Sequence, residues 1–310
     1  MGNLASTYRN QGRWKEAEEL EVQVMETRKK VLGEEHPNTL TSMGNLASTY
    51  RNQGRWKEAE ELEVQVMETQ KRVLGEEHPN TLHSMAHLAL TFWKQGRQEE
   101  AGELEMQVME TSIRALGIEH PDTLTSIGNR TLTLWNLGMW KEAEELEVQL
   151  IEMEKRVLGE EHPNTLCSMG NLASMFCNQG RLKEAEELEM QVMETRKRVL
   201  GEEHPSTLTS IGNLASTYMK QGLWKKAEEL EVQLIETKKR VLGEEHPNTL
   251  TSMGELALTY KNQGRWNEAI LLLEECFQLQ ERILGRQHPD TETSFEVVNK
   301  WKREKSERGV

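Results

Sequence analysis

Apolar residues recur along the chain with helical spacing. Between 37 and 52, Leu40, Met43, Leu46, Ala47 and Tyr50 fall on one side of a helix, and Thr41, Asn45, Ser48 and Asn52 fall on the other. This predicts an amphipathic helix A from about Asn38 to Asn52. Pro37 behind His36 suits its first turn, where the N–H that proline lacks would be unpaired anyway. A second helix, B, is predicted from Trp56 to Val73 or Leu74. Ala59, Leu62, Val66 and Val73 give it one apolar seam, and Val64, Met67 and Leu74 a flanking one. Two seams suit a helix wedged between two neighbours. Gly54 is placed to take positive φ between the helices, and Gly75 to end the second. The charges left outside, such as Glu68 and Arg72, are spaced for i,i+4 ion pairs.

The pattern then returns without a slip. His-Pro pairs stand at His36, His78, His120, His162, His204, His246 and His288, a constant spacing of 42. Comparing 37–78 with 205–246 leaves 33 of 42 residues identical. A fixed period of this length signals stacked repeats, each too poor in apolar surface to fold alone. The units are a truncated first copy at 1–33, then 37–75, 79–117, 121–159, 163–201, 205–243 and 247–285. Seven tandem repeats over 1–285 are therefore expected, with a C-terminal capping helix over 286–310. The first copy lacks the PNTLTS lead, which suggests a piece of a longer array with an uncapped N-terminal edge open to self-association.

Composition narrows the partners. Hydrophobic residues make up 36% of the 310, thin for one globular core but sufficient for stacking. The formal charge of −14 argues against nucleic acid and against anionic membrane surfaces. No apolar run approaches a membrane span, and the N-terminus lacks the plan of a signal peptide. Cys167, Cys177 and Cys276 follow no disulfide or zinc spacing, so a reduced, cytoplasmic setting is expected.

Chemistry is hard to place on this chain. The QGRW and VLGEEH turns carry no phosphate-loop Lys-Ser/Thr, and the Glu pairs recur identically where a catalytic dyad needs two unlike environments. His83 and His87 stand at i,i+4, but no carboxylate follows them in the HExxH manner. No enzyme activity, metal or cofactor is expected.

Leu46-Ala47, Tyr50, Gly54, Trp56 and Ala59 resemble the tetratricopeptide-repeat pattern of large, small, aromatic, turn-glycine, aromatic and small residues. The unit is longer than the ordinary 34 residues, and is similar to the repeats of kinesin light chains and to the near-identical arrays of fungal and bacterial proteins, including NLR-like receptors. The resemblance implies an all-α, right-handed superhelical solenoid of antiparallel helix pairs, with A helices lining a concave wall that holds extended peptides. The family often has an aromatic where this chain has Glu21, Glu63, Glu105, Glu147, Glu189 and Glu231, with Leu273 alone apolar. An exposed flank on the lengthened helix B is expected there, because unpaired buried carboxylates are costly.

On the polar stripe of helix A one position carries Asn3, Asn45, His87, Asn129, Asn171, Asn213 and Glu255. Amides there could grip peptide backbone, or could bridge neighbouring helices. Units three and four depart from the other copies, with Leu90 and Trp93, and Leu132 and Trp135, beside His83 and His87. Two inward indoles would form a binding platform. Alternatively, Arg130 and Thr131 in the core Leu-Ala slots rotate that helix and draw Leu132 and Leu134 inward. Lys94, Asn136, Lys220 and Lys261 add positive or polar groups, so an acidic or aromatic-acidic peptide is the expected ligand. The reading is a peptide-binding scaffold; the alternative is a structural or self-assembling arm of a larger receptor.

Overall fold

The computed structural model describes residues 2–10, 13–286 and 288–308. One local device starts the helices. His36 Nδ1 accepts the backbone N–H of Asn38 at 3.1 Å, with Pro37 in the first turn. His78, His120, His162, His204 and His246 do the same for their own helices. Each ring satisfies a donor that the helix cannot pair internally. Gly54 at φ 76° turns the chain between the helices of a pair, and Gly75 at φ 95° follows the second.

Two compact units result, 1–157 and 158–310. The first holds α1 (Gly2–Asn10), α2 (Trp14–Leu32), α3 (Pro37–Asn52), α4 (Trp56–Leu74), α5 (Pro79–Lys94), α6 (Gln98–Leu116), α7 (Pro121–Asn136) and α8 (Trp140–Val157). The second holds α9 (Pro163–Asn178), α10 (Leu182–Leu200), α11 (Pro205–Gln221), α12 (Trp224–Leu242), α13 (Pro247–Asn262), α14 (Trp266–Leu284) and α15 (Pro289–Arg308). Among the described residues no strand occurs. Odd-numbered helices are of type A and even-numbered ones, through α14, of type B. Within each unit a helix packs on the next in sequence, the all-α solenoid class of stacked antiparallel pairs.

Core clusters are shared between pairs. Met25 of α2 packs with Leu40, Met43 and Leu46 of α3 and Val66 of α4. In the second unit Ile235 of α12 packs with Leu250, Met253 and Leu256 of α13 and Cys276 of α14. Burying such a side chain is worth about 1.5–3 kcal/mol. That gain appears only once the neighbouring pair is in place, which is why the unit stacks. Val73 and Leu74 depart from the expected seams and stay exposed.

The anticipated Glu68–Arg72 pair does not form. Arg72 instead reaches back to Glu35 at 2.9 Å, tying one repeat to the one before. Arg114 with Glu77 and Arg156 with Glu119 repeat the link in the first unit, as Arg198 with Glu161 and Arg240 with Glu203 do in the second. These pairs are exposed and individually weak.

The glutamate position is the main correction. Glu21, Glu63, Glu147, Glu189 and Glu231 are buried and Glu105 is half-buried, not an exposed flank. Burial is matched by a threonine 28 residues on in the next A helix, except at Glu147, which has Met175 at that spacing. Thr49 donates to Glu21 at 2.6 Å and Thr91 to Glu63 at 2.5 Å. Thr133, Thr217 and Thr259 stand at the same spacing and partly offset the rise that burial imposes on the Glu105, Glu189 and Glu231 carboxyls. One oxygen of each of these three glutamates is nevertheless buried without a hydrogen-bond partner among the described residues, and Thr259 donates to Met219 Sδ at 2.7 Å. Arg9 adds an ion pair to Glu21 at 3.5 Å, and Arg51 one to Glu63 at 2.7 Å. A buried carboxylate with such partners escapes most of the penalty an orphan would meet.

Helix α15 closes the second unit. Val298 and Trp301 are buried with Trp266, Ala269, Ile270 and Leu273 of α14. Lys302 pairs with Glu274, and Lys305 donates to Asn267. The basic run thus wraps an apolar ridge onto the last B helix.

Candidate functional site

Helices α5 and α7 place the departures from the repeat on one face. His83, His87, Leu90 and Lys94 share a side of α5 because they are three or four residues apart. Leu90, Trp93 and Lys94 of α5, with Asn129, Leu132 and Asn136 of α7, line a cavity of about 390 Å³ together with His83 and His87. A second cavity, of about 350 Å³, lies between α3 and α5 and is walled by Thr41, Asn45 and Ser48 as well as the same two histidines. Of the expected peptide-binding residues in the first unit, Asn45, His83, His87, Leu90, Trp93, Lys94, Asn129, Leu132, Trp135 and Asn136, nine line one or other cavity.

Trp135 is the tenth and lies elsewhere. Its ring packs on Trp140 of α8, with centroids 6.1 Å apart, and is absent from both linings. The two-indole platform is therefore a single indole, Trp93, carrying the Lys94 ammonium 5.5 Å above its ring.

The anticipated rotation of α7 does not occur. Arg130 and Thr131 stay buried in the core slots, and Leu132 remains 43% exposed, as Leu90 does. Leu134 is buried, but it occupies the place that Tyr50 holds in α3. Arg130 is accommodated because the facing residue of α6 is Gly102, whose carbonyl accepts its Nη1 at 3.0 Å. A Cβ at Gly102 would stand 3.1 Å from that nitrogen. Where leucine fills the Arg130 slot, the residue 28 positions earlier, in the Gly102 place, is glutamate. Glu60, for instance, accepts from Gln95 at 2.7 Å and Arg97 at 2.7 Å. Leu137 and Met139 replace that glutamine and arginine, so the whole joint between α6 and α7 has changed together.

Between the two cavities runs a hydrogen-bonded chain. His83 Nε2 and His87 Nε2 are 2.9 Å apart, and Arg51 Nη2 lies 3.2 Å from His87 Nδ1. Arg51 also donates to Glu63 at 2.7 Å. Since guanidinium only donates, His87 Nδ1 is the acceptor and its proton sits on Nε2, directed at His83. Burial, the neighbouring His83 and Arg51 push His87 down to about 4, so it is neutral at physiological pH. That tautomer occupies the nitrogen a metal would need, and among the described residues no group of three metal-ligating side chains forms.

The amide stripe is present but uneven. Asn45 is half-buried and its carbonyl accepts from Arg9 at 3.3 Å, whereas Asn129 is exposed. In the second unit Asn171 of α9 is half-buried and Asn213 of α11 exposed. The Asn3 side chain lies outside the described residues. Lys220 donates to Cys177 Sγ at 3.2 Å. Lys261 is not an available cation. It pairs with Glu304 at 2.8 Å and lies between the rings of Trp266 and Trp301.

Missed by sequence reasoning were Thr49 and its equivalents, as partners of the glutamates, and Gln70, which faces the second cavity. Both were legible as repeat positions that change together or change alone.

The arrangement is that of a helical-repeat interaction scaffold, a fold that typically works without catalysis. The chain belongs to the tetratricopeptide-repeat family: family models of that description match residues 1–72, 45–112, 132–198 and 164–240, and a further one 249–290. A Podosopora anserina putative kinesin light chain with nearly identical TPR-like repeats is 35% identical. The match covers 67% of this chain and 98% of that one, at a TM-score of 0.59. BtubC (BKLC) from P. vanneervenii shares the fold at 17% identity and TM-score 0.64, over 76% of this chain and 94% of that one. A Rap protein complexed with Competence and Sporulation Factor does so at 12% identity and TM-score 0.54, over 87% and 77%. Comparison with curated protein sequences gave no match. No helix among the described residues is long and apolar enough to cross a membrane.

Proposed function

We propose that the chain is a scaffold that holds an extended peptide against the A-helix side of the first unit. The observation that carries this is the pair of cavities that share His83 and His87 in their linings, where the departures His83, His87, Leu90, Trp93 and Leu132 come together. In this reading Leu90, Trp93 and Leu132 receive a bulky apolar or aromatic side chain. An isolated apolar pocket with a polar rim is the usual form of a binding hot spot. Lys94, 5.5 Å from the Trp93 ring, favours an acidic neighbour on that residue. Asn45 and Asn129, and in the second unit Asn171 and Asn213, offer amides to peptide backbone. That a Rap protein of this fold is solved with Competence and Sporulation Factor supports the reading.

Peptide-array binding to the intact chain, Trp93→Ala and Trp135→Ala tests it. The expected result is a peptide set lost with Trp93→Ala and kept with Trp135→Ala. Binding unaffected by Trp93→Ala, or no binding together with a solution mass that grows with concentration, would favour a structural arm instead.

A further inference from the structure

The joint between a B helix and the following A helix is filled by a cation in several copies. Arg28 Nη1 donates to the Asn38 carbonyl at 2.8 Å and to Ser42 Oγ at 2.7 Å. Arg196 donates to the Ser206 carbonyl at 3.2 Å and Ser210 Oγ at 2.8 Å. Lys238 reaches the Asn248 carbonyl at 3.3 Å and Ser252 Oγ at 2.7 Å. The joint is thus a cation-shaped acceptor site, written three times with its occupant attached.

In α4 and α6 the same position carries Gln70 and Ser112. Neither reaches across. Ser84 and Ser126 turn their hydroxyls back to Thr81 and Thr123, at 2.8 and 2.7 Å. Cavities open at these two joints: one of about 80 Å³ beside Ser112, Asp122 and Ser126, and the larger one beside Gln70, Asn80 and Ser84. Gln70 Oε1 is buried there with no hydrogen-bond partner among the described residues. A buried acceptor without a donor is destabilising, and an incoming N–H would relieve it. Arg9, the only lysine or arginine in that lining among the described residues, is engaged by Glu21 and the Asn45 main-chain carbonyl.

We propose that the cavity over Gln70 binds a cationic side chain of the partner peptide, an arginine guanidinium or a lysine ammonium. It would take the place that Arg28, Arg196 and Lys238 fill from within. The inference rests on the A-helix side of the first unit being the ligand face, and it adds a basic anchor beside the apolar pocket. A chain of formal charge −14 suits such a partner.

The test uses N-acetyl-arginine amide, N-acetyl-lysine amide and the neutral N-acetyl-citrulline amide, titrated into the full chain and followed by amide shifts in α4 and α5. Saturable shifts near Gln70, Asn80 and Ser84 are expected for the two cations, with citrulline at least tenfold weaker. Gln70→Arg installs the residue that Arg28 and Arg196 already show to fit; it should raise the melting temperature and abolish those shifts. Arg28→Gln should create a second responding joint at Asn38 and Ser42. Equal binding of arginine and citrulline amides, no saturable shift, or full binding to Gln70→Arg would overturn the proposal. Array peptides that survive Gln70→Arg but not Trp93→Ala would sink the cation site and leave the peptide scaffold standing.

Discussion

Glu63 of α4 accepts a 2.5 Å hydrogen bond from Thr91 of α5, across the joint between one repeat and the next. The same glutamate takes Arg51 from the preceding A helix at 2.7 Å, so three successive helices meet at one carboxylate. Twenty-eight residues separate donor and acceptor wherever the pair recurs within a unit. Where the glutamate becomes Leu273, the residue 28 positions on becomes Trp301, and the two share an apolar cluster. Polarity at this spacing is therefore matched in most copies, hydroxyl to carboxylate along the repeats and indole to leucine under α15, with Glu147 and Met175 the exception.

Matching does not cancel burial. Burial lifts the Glu231 carboxyl from its ordinary 4.5 to about 7, a rise that Thr259 only partly offsets and that Glu255 and Glu228 increase. The folded chain thus binds this proton more readily than the unfolded one. The resulting stability is fully present below pH 4.5 and is lost as pH rises through 7. Glu231→Gln has no such loss. It should melt above the parent at pH 8 by the equivalent of about 1–3 kcal/mol, with the gap closing or reversing at pH 5. A gap of constant size across that range in calorimetry would refute the assignment.

Thr217 gives the complementary test. Thr217→Val keeps the shape but removes the hydroxyl that partly offsets the rise of the Glu189 carboxyl on burial and that lies 3.5 Å from Cys177 Sγ. It should cost about 1–3 kcal/mol, the price of a buried acceptor left unmade. Glu189→Leu together with Thr217→Val should cost less than the sum of the single changes, as Leu273 and Trp301 foreshadow. Strict additivity in denaturant melts would show that the two side chains do not act as a pair.

Much of this was legible in the chain itself. The His-Pro spacing, the Leu40–Tyr50 stripe and the Gly54 turn give the helix pair, because each is a local choice that agrees with the stack. Glu63 was misread because a single copy shows a charge and not its partner. The threonine lies in the following repeat, and only the joint change at Leu273 and Trp301 betrays the link. Trp135 was misplaced for a different reason: periodicity fixes the side of a helix but not the rotamer, and Trp140 offers its indole a closer surface. Arg130 escaped because its compensation is an absence, the side chain that Gly102 lacks.

Leu90 and Leu132 stand where Ser6, Ser48, Ser174 and Ser216 stand in four other copies and Leu258 in a fifth, and both are exposed. Returning them to serine removes apolar lining without touching the core, so stability should change by about 0.5 kcal/mol or less. If the cavity between α5 and α7 seats a bulky apolar side chain, the Leu90→Ser, Leu132→Ser double variant should lose at least tenfold in affinity for array-selected peptides. Unaltered affinity would remove this cavity from the binding surface.

Gly102 and Arg130 make the sharpest coupled pair. Glycine inside a helix ordinarily costs about 0.5–1 kcal/mol relative to alanine, so Gly102→Ala should stabilise α6 if nothing else intervened. Its Cβ would stand 3.1 Å from the Arg130 guanidinium and 3.5 Å from Thr133 Cγ2. The buried arginine would have to withdraw from the carbonyl it now holds at 3.0 Å, leaving a charge without its acceptor. Gly102→Ala alone should therefore be destabilising. Arg130→Leu restores the residue that Leu46 and Leu88 supply in α3 and α5, and in that background the same alanine should stabilise by about 0.5–1 kcal/mol. A change of sign in the thermal melts is the expected signature; the same sign in both backgrounds would mean that the two residues entered the repeat independently.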